Sequence, residues 1–209
     1  DICLTITFHS GALVMCYPLD QPRNYNSKLR GSRSVKRGLS GPKAEPIEYK
    51  ILKDLCLAYS KHHGKTNNSY EKQMYQSKIF PQGVCNGSHW YPINGSLGDY
   101  CYLKYGIPSL TAEISELKNP SYASKMGPEN FKSILETIKT MLANSISGVA
   151  PMNSIIEINN QDKLSFRTFK GRFFRTCSGE IEIRAKLNNK YSTWVKCKKG
   201  DNKIVLSWD

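Results

Sequence analysis

Three short stretches hold residue types that hydrolytic and metal chemistry use. The first, Thr7-Phe8-His9-Ser10-Gly11, puts an imidazole at the end of an alternating strand, beside a glycine turn. An imidazole there serves as a metal ligand or proton carrier, or as a hydrogen-bonded residue that closes the strand. The second is Asn86-Gly87-Ser88-His89-Trp90-Tyr91, followed by Asn94-Gly95-Ser96-Leu97-Gly98-Asp99-Tyr100. Its glycines let backbone approach a ligand, and Tyr91 offers a phenol donor, although a Trp-Tyr pair in a loop equally serves packing. The third is Leu110-Thr111-Ala112-Glu113-Ile114. Alternation puts Leu110, Ala112 and Ile114 on one face and Thr111, Glu113 and Ser115 on the other, so Glu113 faces either solvent or a polar site.

These residues need elements to carry them. Ile2, Leu4, Ile6 and Phe8 alternate as in a strand, and a second apolar stretch runs from Ala12 to Tyr17-Pro18. Positions 21–46 read as an irregular loop rich in base (Arg23, Lys28, Arg30, Arg33, Lys36, Arg37, Lys43), best taken as a solvated surface. Pro46 is placed to open an amphipathic helix through Ile47, Ile51, Leu52, Leu55 and Tyr59 that stops at Gly64, with His62 and His63 solvated at its end. Positions 65–98 read as a long ordered loop, and a strand follows over 107–115. Gly127-Pro128-Glu129 then opens a helix whose Phe131, Ile134, Leu135, Ile138 and Leu142 form one apolar stripe. Beyond residue 145 the texture changes to strand-like runs at 154–158, 173–175, 181–185, 192–196 and 204–208, separated by Asn- and Gly-rich turns.

Composition narrows the partners. The 209 residues allow one good-sized domain or slightly more, and 39% hydrophobic residues suffice for a core. Lys+Arg number 30 against 17 Asp+Glu, a net charge of +13, but the basic residues are scattered over both halves without interleaved aromatics, so no nucleic-acid partner is expected. No apolar run approaches the roughly 20 residues that span a bilayer. The seven cysteines show no CxxC spacing, and sequons at Asn67, Asn86 and Asn94 point to a secreted or otherwise extracytoplasmic protein. The chain opens without Met and already in a strand, which reads as the C-terminal portion of something longer.

Taken together, the order and spacing of the three stretches resemble the zinc metallocarboxypeptidase family, in particular its regulatory branch, to which carboxypeptidases N, E, M and D belong. The resemblance rests on His9-Ser10-Gly11 leading to Tyr17-Pro18-Leu19-Asp20, on Asn86-Gly87-Ser88-His89-Trp90-Tyr91 with Gly98-Asp99-Tyr100-Cys101-Tyr102, and on Leu110-Thr111-Ala112-Glu113-Ile114-Ser115. It implies an α/β fold: residues 1–145 as the C-terminal half of a carboxypeptidase catalytic domain, a mixed sheet with flanking helices, then 146–209 as a transthyretin-like β-sandwich. It further implies Zn2+ as cofactor with His9 as one ligand, and Glu113 as general base and then proton donor. Tyr91 would hydrogen-bond the peptide near the scissile bond, and Asp20, with Gly98 beside it, would form a specificity pocket favouring C-terminal Lys or Arg. The partners would be peptide or protein C-termini.

The departures are equally specific. The resemblance places a His-x-x-Glu pair of zinc ligands and the carboxylate-binding Arg well before His9, and none of these is among the 209 residues. Ser96 stands where the family has a second pocket glycine, and Gly98 where the branch has Gln. The chain alone is therefore expected to be inactive, and the competing reading is a carboxypeptidase-like protein that binds peptides or partners without cleaving them.

Overall fold

The computed structural model describes residues 2–22, 39, 41–64, 72–159 and 165–208. The basic residues from Arg23 to Arg37 and the Asn67 sequon lie outside them. Two apolar stretches become β1 (Thr5–His9) and β2 (Ala12–Tyr17), followed by helix α1 (Tyr49–Ser60). After two single turns of 3-10 helix come β3 (Val84–Asn86), α2 (Gly87–Trp90), α3 (Leu97–Tyr105), β4 (Ser109–Ser115) and α4 (Ala123–Ala143). The remaining strands are β5 (Ser145–Val149), β6 (Ile155–Ile158), β7 (Ser165–Arg167), β8 (Arg172–Thr176), β9 (Glu180–Leu187), β10 (Lys190–Tyr191), β11 (Val195–Lys198) and β12 (Ile204–Val205).

The first four strands form one mixed sheet in the order β1-β4-β2-β3. β4 runs parallel to β1 and antiparallel to β2, and β3 runs parallel to β2. Directly opposed residues point to the same face, so the register writes two rows across one side of the sheet: His9, Glu113, Val14 and, next to it, Thr7, Thr111, Cys16, Cys85. The opposite face presents Leu110, Ala112, Met15, Tyr17 and Val84 to a core with Ile51, Leu52, Leu55, Cys56 and Tyr59 of α1. Each of those large side chains contributes about 2 kcal/mol on burial.

Several expected boundaries move. α1 starts at Tyr49, not Pro46; the Pro46 carbonyl accepts from the Tyr49 amide in the preceding turn. His63 is 1% exposed and stacks on Tyr59, against its expected place in solvent. The region expected to be loop up to residue 98 contains β3, α2 and the start of α3, elements too short to carry a readable period. The strand expected from 107 begins at Ser109. Ser192–Trp194 is not strand, because the Ser192 hydroxyl accepts from the Ala185 amide and donates to the Thr193 carbonyl.

The largest correction concerns α4. Pro128 lies inside this helix, which already begins at Ala123. The helix lies along α1 on Met126, Asn130, Ser133, Thr137 and Met141, with the Tyr59 hydroxyl donating to Asn130 Oδ1. Phe131 is 61% exposed, and Leu135, Ile138 and Leu142 are exposed with it; of the expected stripe only Ile134 packs on the core. The small Ser133 and Thr137 side chains let the two helices approach, and Thr137 satisfies its hydroxyl on the Ser133 carbonyl.

From β5 onward the chain forms two facing sheets, a three-stranded one (β12-β5-β8) and a five-stranded one (β10-β9-β6-β7, with β11 on β9). Ile146 and Phe173 from the first meet Ile156, Ile158, Phe166, Ile183 and Cys197 from the second, a β-sandwich whose core runs on into that of the mixed sheet. Arg175 of β8, buried, pairs with Glu48, donates to the Gly106 carbonyl and lies over the Phe166 ring; Glu48 also accepts from the Tyr102 hydroxyl at 3.1 Å. Replacing Arg175 by Met leaves Glu48 with one partner, so the urea midpoint should fall by the equivalent of about 3 kcal/mol, with partial recovery in the double variant Arg175→Met/Glu48→Gln.

Candidate active site

β1 delivers His9 and β4 delivers Glu113 in the same row. The turn after His9 uses Gly11 at φ +123°, a backbone region that side chains rarely adopt, and its amide donates to the Ser115 carbonyl at 2.7 Å. His9 Nδ1 lies 3.0 Å from Glu113 Oε1 and 3.2 Å from Oε2. Either a proton on Nδ1 donated to the carboxylate or a neutral carboxyl donating to Nδ1 makes this contact. Glu113 is 6% exposed while the His9 side chain is 70% exposed, so the pair has a buried acid under an open imidazole. Burial pushes the Glu113 carboxyl above its ordinary pKa, and the neighbouring His9 and Lys118 pull it partly back.

Glu113, Tyr91 and Asp20 line one small cavity of about 40 Å³, with Cys16, Gly87, Trp90, Ile93 and Thr111. Tyr91 packs edge-on against Trp90 with ring centres 4.7 Å apart, and Trp90 packs on Phe80. Burial, then the negative charge of Glu113, raises the Tyr91 pKa, so the phenol keeps its proton. His9 contacts Glu113 but does not line this cavity.

Asp20 is held by a polar knot. Its carboxylate accepts from the Ser96 hydroxyl, while its own amide and that of Gln21 donate to Asp99 Oδ1 (2.8 Å) and Oδ2 (3.0 Å). Ser96 also caps α3, accepting from the Asp99 amide. Burial raises Asp20 and carries Asp99 to about 6, although the two amides at Asp99 and the Ser96 hydroxyl at Asp20 act the other way. Gly87 lies so close that a Cβ there would overlap Asp20 Oδ1. Gly98, in α3, stands behind Asp20: a Cβ would come 3.7 Å from Oδ2 and 3.2 Å from Ser96 Oγ.

The structure thus brings His9, Glu113, Tyr91, Asp20 and Gly98 into one region from five separate segments. The sequence presents Asn86 as a sequon and Ser96 in place of a pocket glycine, and neither reading, nor the motif that contains Asp99, foretells the hydrogen bonds these three residues make. The Ser96-x-x-Asp99 spacing is a readable cap pattern. Asn86 had no such signal: its Nδ2 donates to the carbonyls of Leu19 (3.1 Å), Ala44 (3.3 Å) and Tyr17 (3.4 Å), and its Oδ1 accepts from the Ala44 amide. That buried amide is no glycan acceptor, whereas Asn94 is exposed.

Residues 1–143 match the zinc carboxypeptidase family model, and the chain belongs to that family. It is 32% identical over 122 residues to carboxypeptidase D of Drosophila melanogaster, which covers 57% of the chain and 8% of that protein. It is 31% identical over 144 residues to carboxypeptidase SOL1 of Arabidopsis thaliana, covering 68% of the chain and 25% of that protein. With carboxypeptidase M of Mus musculus it shares 28% identity over 176 residues, 80% of the chain and 37% of that protein. The chain therefore spans well under two thirds of the lengths of these relatives.

A catalytic zinc takes three protein ligands and an open position. Among the described residues no three His, Cys, Asp or Glu side chains converge on a point where a metal ion could be held. His9 supplies one imidazole beside Glu113, and that donor set does not by itself fit zinc.

Two measurements check this geometry. Gly87→Ala should cost about 1–3 kcal/mol because Asp20 must move, whereas Gly98→Ala, in a helix with only the Ser96 hydroxyl close, should be neutral or slightly stabilising; thermal melting distinguishes them. Glu113 binds its proton more tightly folded than unfolded, so its contribution to stability is present at low pH and is lost as pH rises through its raised pKa. Asp20 and Asp99 share that sign. Melting between about pH 4 and 7 should therefore show stability declining with pH from these three groups, with a shallower decline in Glu113→Gln.

Proposed function

We propose that the protein to which this chain belongs is a metallocarboxypeptidase that removes the C-terminal residue of peptides or proteins, with Glu113 as its proton-transfer group. The observation that carries the reading is one cavity lined by a buried carboxyl, a phenol and a second carboxyl, from Glu113, Tyr91 and Asp20. Glu113, whose pKa burial raises and His9 and Lys118 pull partly back, is suited to take a proton from the attacking water and return it to the departing amine. Tyr91, protonated and at the cavity wall, is suited to donate to the peptide near the scissile bond. Asp20, with Gly98 behind it, is suited to receive a basic C-terminal side chain through a charge-assisted bond.

His9 is read as this chain's one contribution to a zinc site, and the match to the zinc carboxypeptidase family supports Zn2+ as the whole protein's metal. Residues 1–145 are read as part of the catalytic unit and 146–209 as a transthyretin-like sandwich attached to it. The sequon at Asn94, exposed on the surface, supports export, and among the described residues no helix is long and apolar enough to cross a membrane. The scattered charge leaves peptide C-termini, not nucleic acid, as the proposed partners.

A second reading is a relative that binds peptides without cleaving them; among the described residues no group of three metal donors stands with His9. Turnover of blocked dipeptides ending in Arg or Phe by the full-length protein separates the two. On the hydrolytic reading Glu113→Gln loses about 10²–10⁴-fold in turnover. Asp20→Ala should lose about 10- to 100-fold on the Arg substrate with little change on Phe. Binding of the Arg peptide without any turnover by the wild type would select the second reading.

A further inference from the structure

Cys16 of β2 and Cys85 of β3 take no part in the proposed chemistry, yet they are direct register partners on adjacent parallel strands. Both are buried, and their sulfurs lie 3.4 Å apart. Neighbouring strands stand about 4.8 Å apart, inside the roughly 4.4–6.8 Å between Cα atoms that a disulfide bridges. Both side chains project to the same face, among Val14, Phe80 and Trp90. Cys56, the other thiol of this region, belongs to the core on the opposite side of the sheet.

We propose that Cys16 and Cys85 are a cross-linking site, joined as a disulfide when the chain folds in the presence of a small disulfide oxidant such as oxidised glutathione. One cysteine thiolate attacks the oxidant; its S–S bond breaks, a mixed disulfide forms, and one glutathione leaves as thiolate. The second cysteine thiolate attacks the protein sulfur of that mixed disulfide, the Cys16–Cys85 bond forms, and the second glutathione leaves. Two cysteine thiols are oxidised, one glutathione disulfide is reduced to two thiols, and the two protons pass from the cysteines to the glutathiones. The exchange belongs to folding rather than to the finished molecule. In the closed core, the hydrogen bond with Cys85 and then burial hold the Cys16 thiol well above its ordinary pKa, leaving little thiolate to react.

The bond would tie together the two walls of the cavity. β2 continues to Asp20 and β3 continues into Gly87–Trp90 and Tyr91, so the link sits where both walls leave the sheet. The cysteines are 69 positions apart, so the link also restricts the unfolded chain. None of this depends on whether the site hydrolyses peptides.

The test is to unfold the full-length protein in reductant, refold it in a mixture of oxidised and reduced glutathione, block free thiols with N-ethylmaleimide, and map it without reduction. Chymotrypsin cleavage after Phe8, Tyr25, Tyr75 and Trp90 puts Cys16 on a peptide without Cys3, and Cys85 on one without Cys101. The expected result is a linked pair, residues 9–25 with 76–90, that disappears on reduction. The melting temperature of the oxidised protein should exceed that of the reduced protein by about 5 °C. Cys16→Ser and Cys85→Ser should each abolish the linked pair, while the wild-type map decides the matter even if a variant fails to fold. Recovery of Cys16 and Cys85 both alkylated in refolded protein, or of either linked to Cys56 or another cysteine, overturns the proposal.

Discussion

The register of β4 between β1 and β2 is the constraint on which the rest of this site depends. It sets Glu113 opposite both His9 and Val14, and Thr111 opposite both Thr7 and Cys16. A slip of one residue would turn Glu113 onto the face packed against α1, an uncompensated carboxylate among Met15, Leu55 and Tyr59. Leu110 and Ala112 occupy that face instead, so the apolar pattern of β4 and the placing of its carboxyl are one decision.

A sheet row can position Glu113 but not the opposite wall of the cavity, which is made where chain leaves the sheet. There the backbone is irregular and its polar groups need partners. Asn86 supplies them for the carbonyls of Tyr17, Leu19 and Ala44, and Asp99 supplies them for the amides of Asp20 and Gln21. Asp20 is held in place by its neighbours before any ligand arrives, and the absent side chain of Gly87 leaves room for its carboxylate. The same burial that orients Asp20, Asp99 and Glu113 raises all three pKa values, so the site gives up some stability near neutral pH.

Legibility follows the range of the physical cause. The alternation at Leu110–Ser115 and the spacing of Ile51, Leu52, Leu55 and Tyr59 are local, and the strand and helix appear where that periodicity puts them. On α4 the same kind of reasoning selected Phe131, Leu135, Ile138 and Leu142, all of them exposed. The face that α4 turns to α1 is decided by close approach at Ser133 and Thr137 and by the Tyr59–Asn130 bond, between residues 71 positions apart in sequence. His63 was misplaced as well: it is buried and stacks on Tyr59, one helical turn before it.

By itself the sequence determined which residues could act and on which kind of element each stands: His9 at a strand end, Glu113 on an alternating strand, Tyr91 in a glycine-rich segment, Asp20 just after Tyr17-Pro18. Residue type and short-range period are properties of the chain as written. Only the tertiary structure decided that His9 meets Glu113, that Tyr91 and Asp20 share a cavity with it, that Asn86 and Asp99 hold the cavity wall, and that Cys16 lies against Cys85. Those are pairings across 22 to 104 positions, set by strand register and by the need of buried polar groups for partners, and no local pattern encodes them.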